Sequence, residues 1–309
     1  LATLGLTSLT LFSPFSHEAY GSKRWLSFFG ISFQPSEFLK VALILFLASS
    51  LIQLSSRGGI TRITNSSGNI HTERRGRIPF ATLGIAIITS VGIVSLQPHL
   101  GMAFLIFSSA LVTLFLANLP TRSILKFLLF VFILAALTYL AFPSKFEHAK
   151  SRFRTFLNPT ADVSGEGYQV IQSLGAISRA GFFGKGYMNS LQKFNRLPLA
   201  DKDFIFAIWV EEMGFVGGSV LVFLFVYLLI LCFRCAILLP FGFDSVAIAS
   251  LGTLLVLQAI LNIYANVSLI PVSGLALPFF SYGGSSMLSS LLIVGTILGL
   301  IKRKTNIKS

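Results

Sequence analysis

Residues 196–212 read RLPLADKDFIFAIWVEE, a polar stretch that turns apolar at Phe204. The apolar character continues through GFVGGSVLVFLFVYLLILCF to residue 233. A run of that length is enough to cross roughly 30 Å of hydrocarbon as a helix. Yet the opening stretch holds four of the chain's eleven acidic residues: Asp201, Asp203, Glu211 and Glu212. An ionised group inside a span costs about 2.5 kcal/mol or more unless it is paired or wetted, so acids placed here require a reason.

Working outward, similar apolar windows recur near residues 1–14, 34–55, 79–96, 100–118, 123–142, 205–233, 245–268 and 279–301. The fold class expected is therefore an all-α polytopic membrane protein with eight transmembrane helices. The composition agrees, with 54% hydrophobic and 11% charged residues and 31 Phe among 309. Ten-residue alternating segments of the kind that build an outer-membrane barrel are missing. A net charge of +13 raises the question of nucleic acid, but the basic residues lie between spans and form no single patch. Cys232 and Cys235, in CFRC, read as small buried residues near a membrane face, and nothing completes a zinc set.

The basic residues also orient the chain. Lys302, Arg303, Lys304 and Lys308 follow the last span, which places that tail in the cytoplasm. Counting back, the 56–78 loop is cytoplasmic too, and it carries Arg57, Arg62, Arg74, Arg75 and Arg77 against Glu73 alone. The same parity puts residues 143–203 outside as one large extracytoplasmic loop within a single 1–309 transmembrane domain. This loop holds nine Lys or Arg, and long loops translocate regardless of charge. Its segment YQVIQSLGAIS (168–178) has the spacing of a short amphipathic helix, and GFFGKGY (181–187) reads as a flexible turn around Lys185 suited to an anion. A basic outer surface suits a lipid with an anionic head; attraction to ordinary phospholipid head groups accounts for it equally.

Only Glu37, Glu211 and Glu212 fall within apolar windows. Glu37 lies three residues before Lys40 on one helix face, the spacing of an internal ion pair that locks a span. Glu211 lies eight residues, about 12 Å, beyond Asp203 on a similar face, far enough to line the same cavity but not to share a proton. Asp203 at the head of its helix reads either as a site residue or as an N-cap.

The ordered blocks GSKRW (21–25), QPSEFLK (34–40), QPHLG (97–101), FLNP (156–159), GEGYQVIQS (165–173), GKGYMNSLQKFNRLP (184–198), DFIFA (203–207), EEMGF (211–215) and IPVSGLALPFFSYGGSS (270–286) resemble the SEDS family. These are the FtsW/RodA/SpoVE proteins of shape, elongation, division and sporulation, and the likeness runs over nearly the whole chain. It implies a ten-helix pattern of which the first two helices are absent here. It also implies a peptidoglycan glycosyltransferase that polymerises lipid II at the outer face of the bacterial cytoplasmic membrane, with details leaning toward the division-type branch. Two other readings of such a chain are a lipid II flippase and a scaffold for division proteins.

By that resemblance Asp203 is the catalytic base that takes the acceptor hydroxyl proton. Lys185, Lys193, Arg152, Arg154 and Gln172 are expected to bind substrate, with Glu211 deeper in the cavity. Glu37, Lys40, Gln97, Ser281, Gly283 and Gly284 are expected to shape the cavity. No metal ligand is assigned to the chain, although a divalent cation, Mg or Mn, suits a pyrophosphate leaving group. Expected partners are lipid II, a class B penicillin-binding transpeptidase and other membrane proteins of the division or elongation machinery. The chain departs from the family pattern at three points: His99 stands where QPDLG has an acid, Asp201–Lys202 replace His–Thr before Asp203, and Arg179 interrupts a Gly-rich stretch.

Overall fold

The computed structural model describes residues 2–12, 16–19, 22–28, 31–55, 60–64, 70–74, 80–97, 99–143, 147–161, 165–193 and 201–305. Ten α-helices account for most of them: α1 (Ala2–Phe12), α2 (Pro35–Ser55), α3 (Phe80–Leu96), α4 (Leu100–Leu116), α5 (Thr121–Ala141), α6 (Glu147–Leu157), α7 (Glu166–Arg179), α8 (Ile205–Leu238), α9 (Phe243–Asn266) and α10 (Gly284–Thr305). Each of the eight apolar windows falls on one of these helices. Among the described residues, α2, α5, α8, α9 and α10 are long and apolar enough to cross a membrane. Helices α3 and α4 have 17 residues each, about 25 Å of rise, and α1 has 11.

Two boundaries differ from the sequence reading. The last helix starts at Gly284 rather than 279, because the preceding residues form a turn in which Phe279 holds φ +67. A bulky residue in that region is strained, and the strain persists only where surrounding structure imposes it. Helix α8 extends to Leu238 and contains a break at Gly214, with φ 72 and ψ −173. Small antiparallel sheets, not anticipated from the sequence, form from β1 (Ser16–Ala19), β2 (Ser22–Phe28) and β3 (Ile31–Phe33), and from β4 (Ile60–Thr64) and β5 (Ile70–Arg74). Hydropathy windows of about twenty residues do not resolve elements this short.

Helix α9 forms the axis of the bundle, its apolar window being 83% buried, and it packs against α8, α4, α2 and α10. Helix α5 is peripheral, with only 6% of its window buried, as expected for a span facing lipid. Cys232 and Cys235 are free thiols on α8, one buried and one half-buried. Of the basic 56–78 loop only 60–64 and 70–74 are described, so Arg57, Arg75 and Arg77 lie outside the described residues, as do Arg196 and Lys308.

Candidate active site

One end of the bundle brings together the segment 201–204, the start of α4, the β2 strand and the 270–283 connection before α10. The backbone there is built from side chains of α9. Asn262 and Asn266, one turn apart, both donate from Nδ2 to the Asp203 carbonyl, at 2.8 and 2.9 Å. Asn262 also donates to Leu275 O at 2.7 Å, and Asn266 Oδ1 accepts the Ala207 N–H at 3.2 Å. Ser281 Oγ donates to the Lys202 carbonyl at 2.5 Å, and Tyr282 N donates to the Asp201 carbonyl at 2.8 Å. These bonds fix the chain on both sides of Asp203 while leaving its carboxylate unassigned to the backbone. The N-cap of α8 is Phe204, with no side-chain cap, so the N-cap reading of Asp203 is corrected. The carboxylate is instead directed toward Gly274.

Gly274 holds φ +64, and a Cβ there would lie 3.9 Å from both Asp203 Oδ2 and His99 Nε2. A side chain at 274 would therefore fill the space that these two groups face. His99 is buried, its Nε2 3.4 Å from Gly274 O and its Nδ1 3.5 Å from Gln34 Nε2. Burial, reinforced by Arg24, pushes the imidazole down to about 3, so it is neutral at physiological pH. Burial also raises the Asp203 carboxyl above the ordinary carboxylate value; Arg24, Lys202 and Arg152 oppose the rise and Asp201 adds to it. Arg24 is anchored by donating Nε to the Gln97 carbonyl at 3.1 Å. Gln97 is itself held on α1, where its Nε2 donates to Thr7 O and Thr10 Oγ1 at 2.9 and 2.6 Å.

Below this mouth lies a buried polar lock. Lys40 pairs with Glu37 and donates to Gln258 Oε1, Ser289 Oγ donates to Glu37 Oε2 at 2.8 Å, and Gln258 Nε2 donates to Ala276 O at 2.8 Å. The lock joins α2, α9 and α10 to the connection that carries Gly274. Ser281, Gly283 and Gly284 line an open groove of about 430 Å³ together with Asp201, Ile205, Phe280, Tyr282 and Met287.

The other expected substrate ligands form a separate cluster around the break in α8. A broken helix leaves carbonyls of its first half and N–H groups of its second half unpaired. Residues 181–186 satisfy them: Lys185 N and Gly186 N donate to the Glu211 and Glu212 carbonyls, both at 3.0 Å, and Phe215 N and Val216 N donate to Gly181 O and Phe182 O at 3.1 and 3.2 Å. The fit is close, since a Cβ on Gly184 would lie 2.2 Å from Glu212 O. The expected anion-binding turn is thus corrected: these two N–H groups already serve α8.

Glu211 is fully buried and accepts from Ser190 Oγ at 2.6 Å and Gln192 N at 3.4 Å, with Lys185 Nζ at 3.3 Å. The carboxylate expected to line the Asp203 cavity therefore faces the 185–192 segment. Lys193 Nζ lies 3.8 Å from Glu212 and donates to Met188 Sδ at 3.1 Å, and Gln172 Oε1 accepts from Gln192 at 3.1 Å. Arg154 is exposed in the last turn of α6, and Arg179 ends α7 against Gly175.

Of the expected ligands, only Arg152 belongs to the set of cations acting on Asp203; Arg24 and Lys202 complete that set and were not anticipated. The signal that could have found the α9 groups is Gln258, Asn262 and Asn266 recurring every four residues in an otherwise apolar run. Among the described residues no three His, Cys, Asp or Glu side chains converge as a metal site.

A polytopic helical bundle with a half-buried carboxylate at its mouth, set among cations on a backbone held by an asparagine pair, defines a multi-pass membrane protein of the SEDS fold. The chain belongs to the FtsW/RodA/SpoVE family, whose sequence profile, described as "Cell cycle protein", matches residues 1–306. It is 35% identical over 280 residues to stage V sporulation protein E of Bacillus subtilis, covering 91% of this chain and 71% of that protein. It is 34% identical over 301 residues to a probable peptidoglycan glycosyltransferase FtsW of Hydrogenovibrio crunogenus, covering 96% and 72%. Among solved structures, a chain from a study of polymerisation and crosslinking by a peptidoglycan synthase complex superposes with a TM-score of 0.72 at 28% identity, covering 97% of this chain and 79% of that one. Thermus thermophilus RodA superposes at 0.62 with 27% identity, covering 97% and 75%.

Proposed function

We propose that this chain is a peptidoglycan glycosyltransferase that joins lipid II units into glycan strands, with Asp203 as general base. The observation that carries the proposal is the state of Asp203: a carboxyl made more basic by burial, beside an open Gly274, with cations around it. In the reaction an acceptor sugar hydroxyl attacks the anomeric carbon of the donor; the new C–O bond forms as the bond to undecaprenyl pyrophosphate breaks. Asp203 takes the hydroxyl proton, and the negative charge leaves with the pyrophosphate. Arg24, Arg152 and Lys202 are the cations placed to neutralise that charge, Arg24 and Arg152 with the planar donor array suited to phosphate oxygens. Lys185 and Lys193, engaged with Glu211 and Glu212, hold the substrate-side segment on α8.

One carboxylate together with substrate phosphate oxygens is the donor set that Mg²⁺ or Mn²⁺ commonly accepts, so Asp203 would hold such an ion jointly with the pyrophosphate. Bound there, the ion would supply further neutralisation of the leaving group. The alternative of lipid II flipping finds less support, because the intramembrane polar groups Glu37, Lys40, Gln258 and Ser289 bond to one another. We place the protein in the bacterial cytoplasmic membrane with Lys302, Arg303 and the end of α10 in the cytoplasm, on the positive-inside rule. A class B penicillin-binding transpeptidase is the partner proposed, supported by the likeness to a chain of a peptidoglycan synthase complex. Other membrane proteins of the division or elongation machinery are proposed to join it. The test is strand formation from purified lipid II by the protein with that transpeptidase; folded protein that forms no strands with its partner would overturn the assignment.

A further inference from the structure

The groove beside Asp203 has an unusual chemical character for this chain. It is an open, mostly apolar groove, and it lies at the mouth where the substrate's head must be presented. Among the described residues Asp201 is the one charged group in its lining, in a protein of net charge +13. Among the described residues no cation pairs with the Asp201 carboxylate, although its backbone is pinned by Tyr282. Two aromatic residues share the lining, Tyr282 at 76% and Phe280 at 38% exposure. Phe280 packs edge-to-face with Trp209, ring centroids 5.5 Å apart at 77°.

The bland explanation of Asp201 is that the start of α10 at Gly284 favours a nearby negative charge. That accounts for a carboxylate being tolerated, but not for a large phenol left in the open beside it. A carboxylate and exposed aromatic faces around an apolar groove form the combination that recognises a primary ammonium, by charge and by cation–π attraction. An anion is a poor occupant for the same reason.

We propose that the groove lined by Asp201, Phe280 and Tyr282 is a subsite for a primary ammonium on the peptide carried by the lipid-linked sugar substrate. The peptide is the part of that substrate that supplies an amine, since cross-linking of strands consumes one. The proposal rests on the glycosyltransferase reading for the identity of the substrate. A peptide extends at most about 3.3–3.6 Å per residue, so two or three residues reach about 7–11 Å from a sugar at Asp203, and the residue two positions before Asp203 already lines the groove.

The experiment measures the Kd of the detergent-purified protein for lipid-linked disaccharide-peptide with its side-chain amine either free or N-acetylated. The parent is expected to bind the free-amine form about fivefold more tightly, the scale of one partly exposed charge pair with an aromatic neighbour. Asp201→Glu should keep most of the preference, while Asp201→Asn and Asp201→His should abolish it. Equal affinities in the parent, or a preference that survives in Asp201→Asn, would overturn the subsite. So would loss of the preference when phosphatidylethanolamine is added, because the groove would then be a lipid headgroup site. Binding needs no turnover: a preference that persists in protein making no strands supports the subsite and counts against the glycosyltransferase reading alone.

Discussion

Replacing Glu37 by Ala should destabilise this protein far more than its small volume change suggests. Lys40 is among the largest fully buried side chains, at 1% exposure, and Glu37 is its ion-pair partner. Without Glu37 the ammonium keeps only the Gln258 amide oxygen, and Ser289 Oγ loses the carboxylate to which it donates. Breaking a buried pair from one side costs about 3–5 kcal/mol because an uncompensated charge remains. Replacing both members by apolar residues of similar size removes that charge, and costs near zero are typical. At about 2–4 °C per kcal/mol, Glu37→Ala should lower the midpoint of thermal unfolding in detergent by roughly 10 °C. The double variant Glu37→Leu/Lys40→Met should recover most of that loss, and the cycle closed with Glu37→Leu and Lys40→Met alone should give a coupling energy of about 2 kcal/mol or more. Tryptophan fluorescence during heating reads the transition. Additive losses, or a single-variant change below about 2 °C, would refute the lock.

Two further outcomes follow from the geometry. Arg24 lowers the Asp203 pKa, so Arg24→Gln should raise it; because the base works deprotonated, the acidic limb of the kcat/KM profile should move to higher pH, and an unmoved limb would remove Arg24 from the site. At Gly184, φ is +78 and an added Cβ overlaps the Glu212 carbonyl, so Gly184→Ala should cost about 3 kcal/mol or more; Gly181→Ala, at φ +64 but in open space, should cost about 1 kcal/mol, and thermal unfolding compares the two.

The apolar windows made the helices legible because a membrane span must be apolar over about twenty residues, and α2, α5, α8, α9 and α10 show this directly. Asp203 stood out for a related reason: it is an acid at the edge of such a run. Its surroundings were less legible. Arg24 precedes Asp203 by well over a hundred residues and reaches it only through the β2 strand and the Gln97 carbonyl. Asn262 and Asn266 look like isolated polar residues until α9 is packed beside the 203–207 backbone.

Lys185 shows the opposite failure. Local sequence marked it as a flexible basic turn, whereas its partner Glu211 lies 26 positions away across a helix break that hydropathy does not reveal. The Gly181, Gly184, Gly186 and Gly214 set was the available signal, since all four adopt positive φ.

The most direct measurement is the rate of glycan-strand formation from purified lipid II, with the transpeptidase partner present, for the parent and for Asp203→Asn. Asn keeps the size and the backbone bonds made by Asn262 and Asn266 but cannot accept the hydroxyl proton. Loss of a general base typically removes a factor of about 10²–10⁴, so the variant should fall at least a hundredfold while unfolding at the parent's temperature. Strand formation by folded Asp203→Asn at the parent rate would contradict the account.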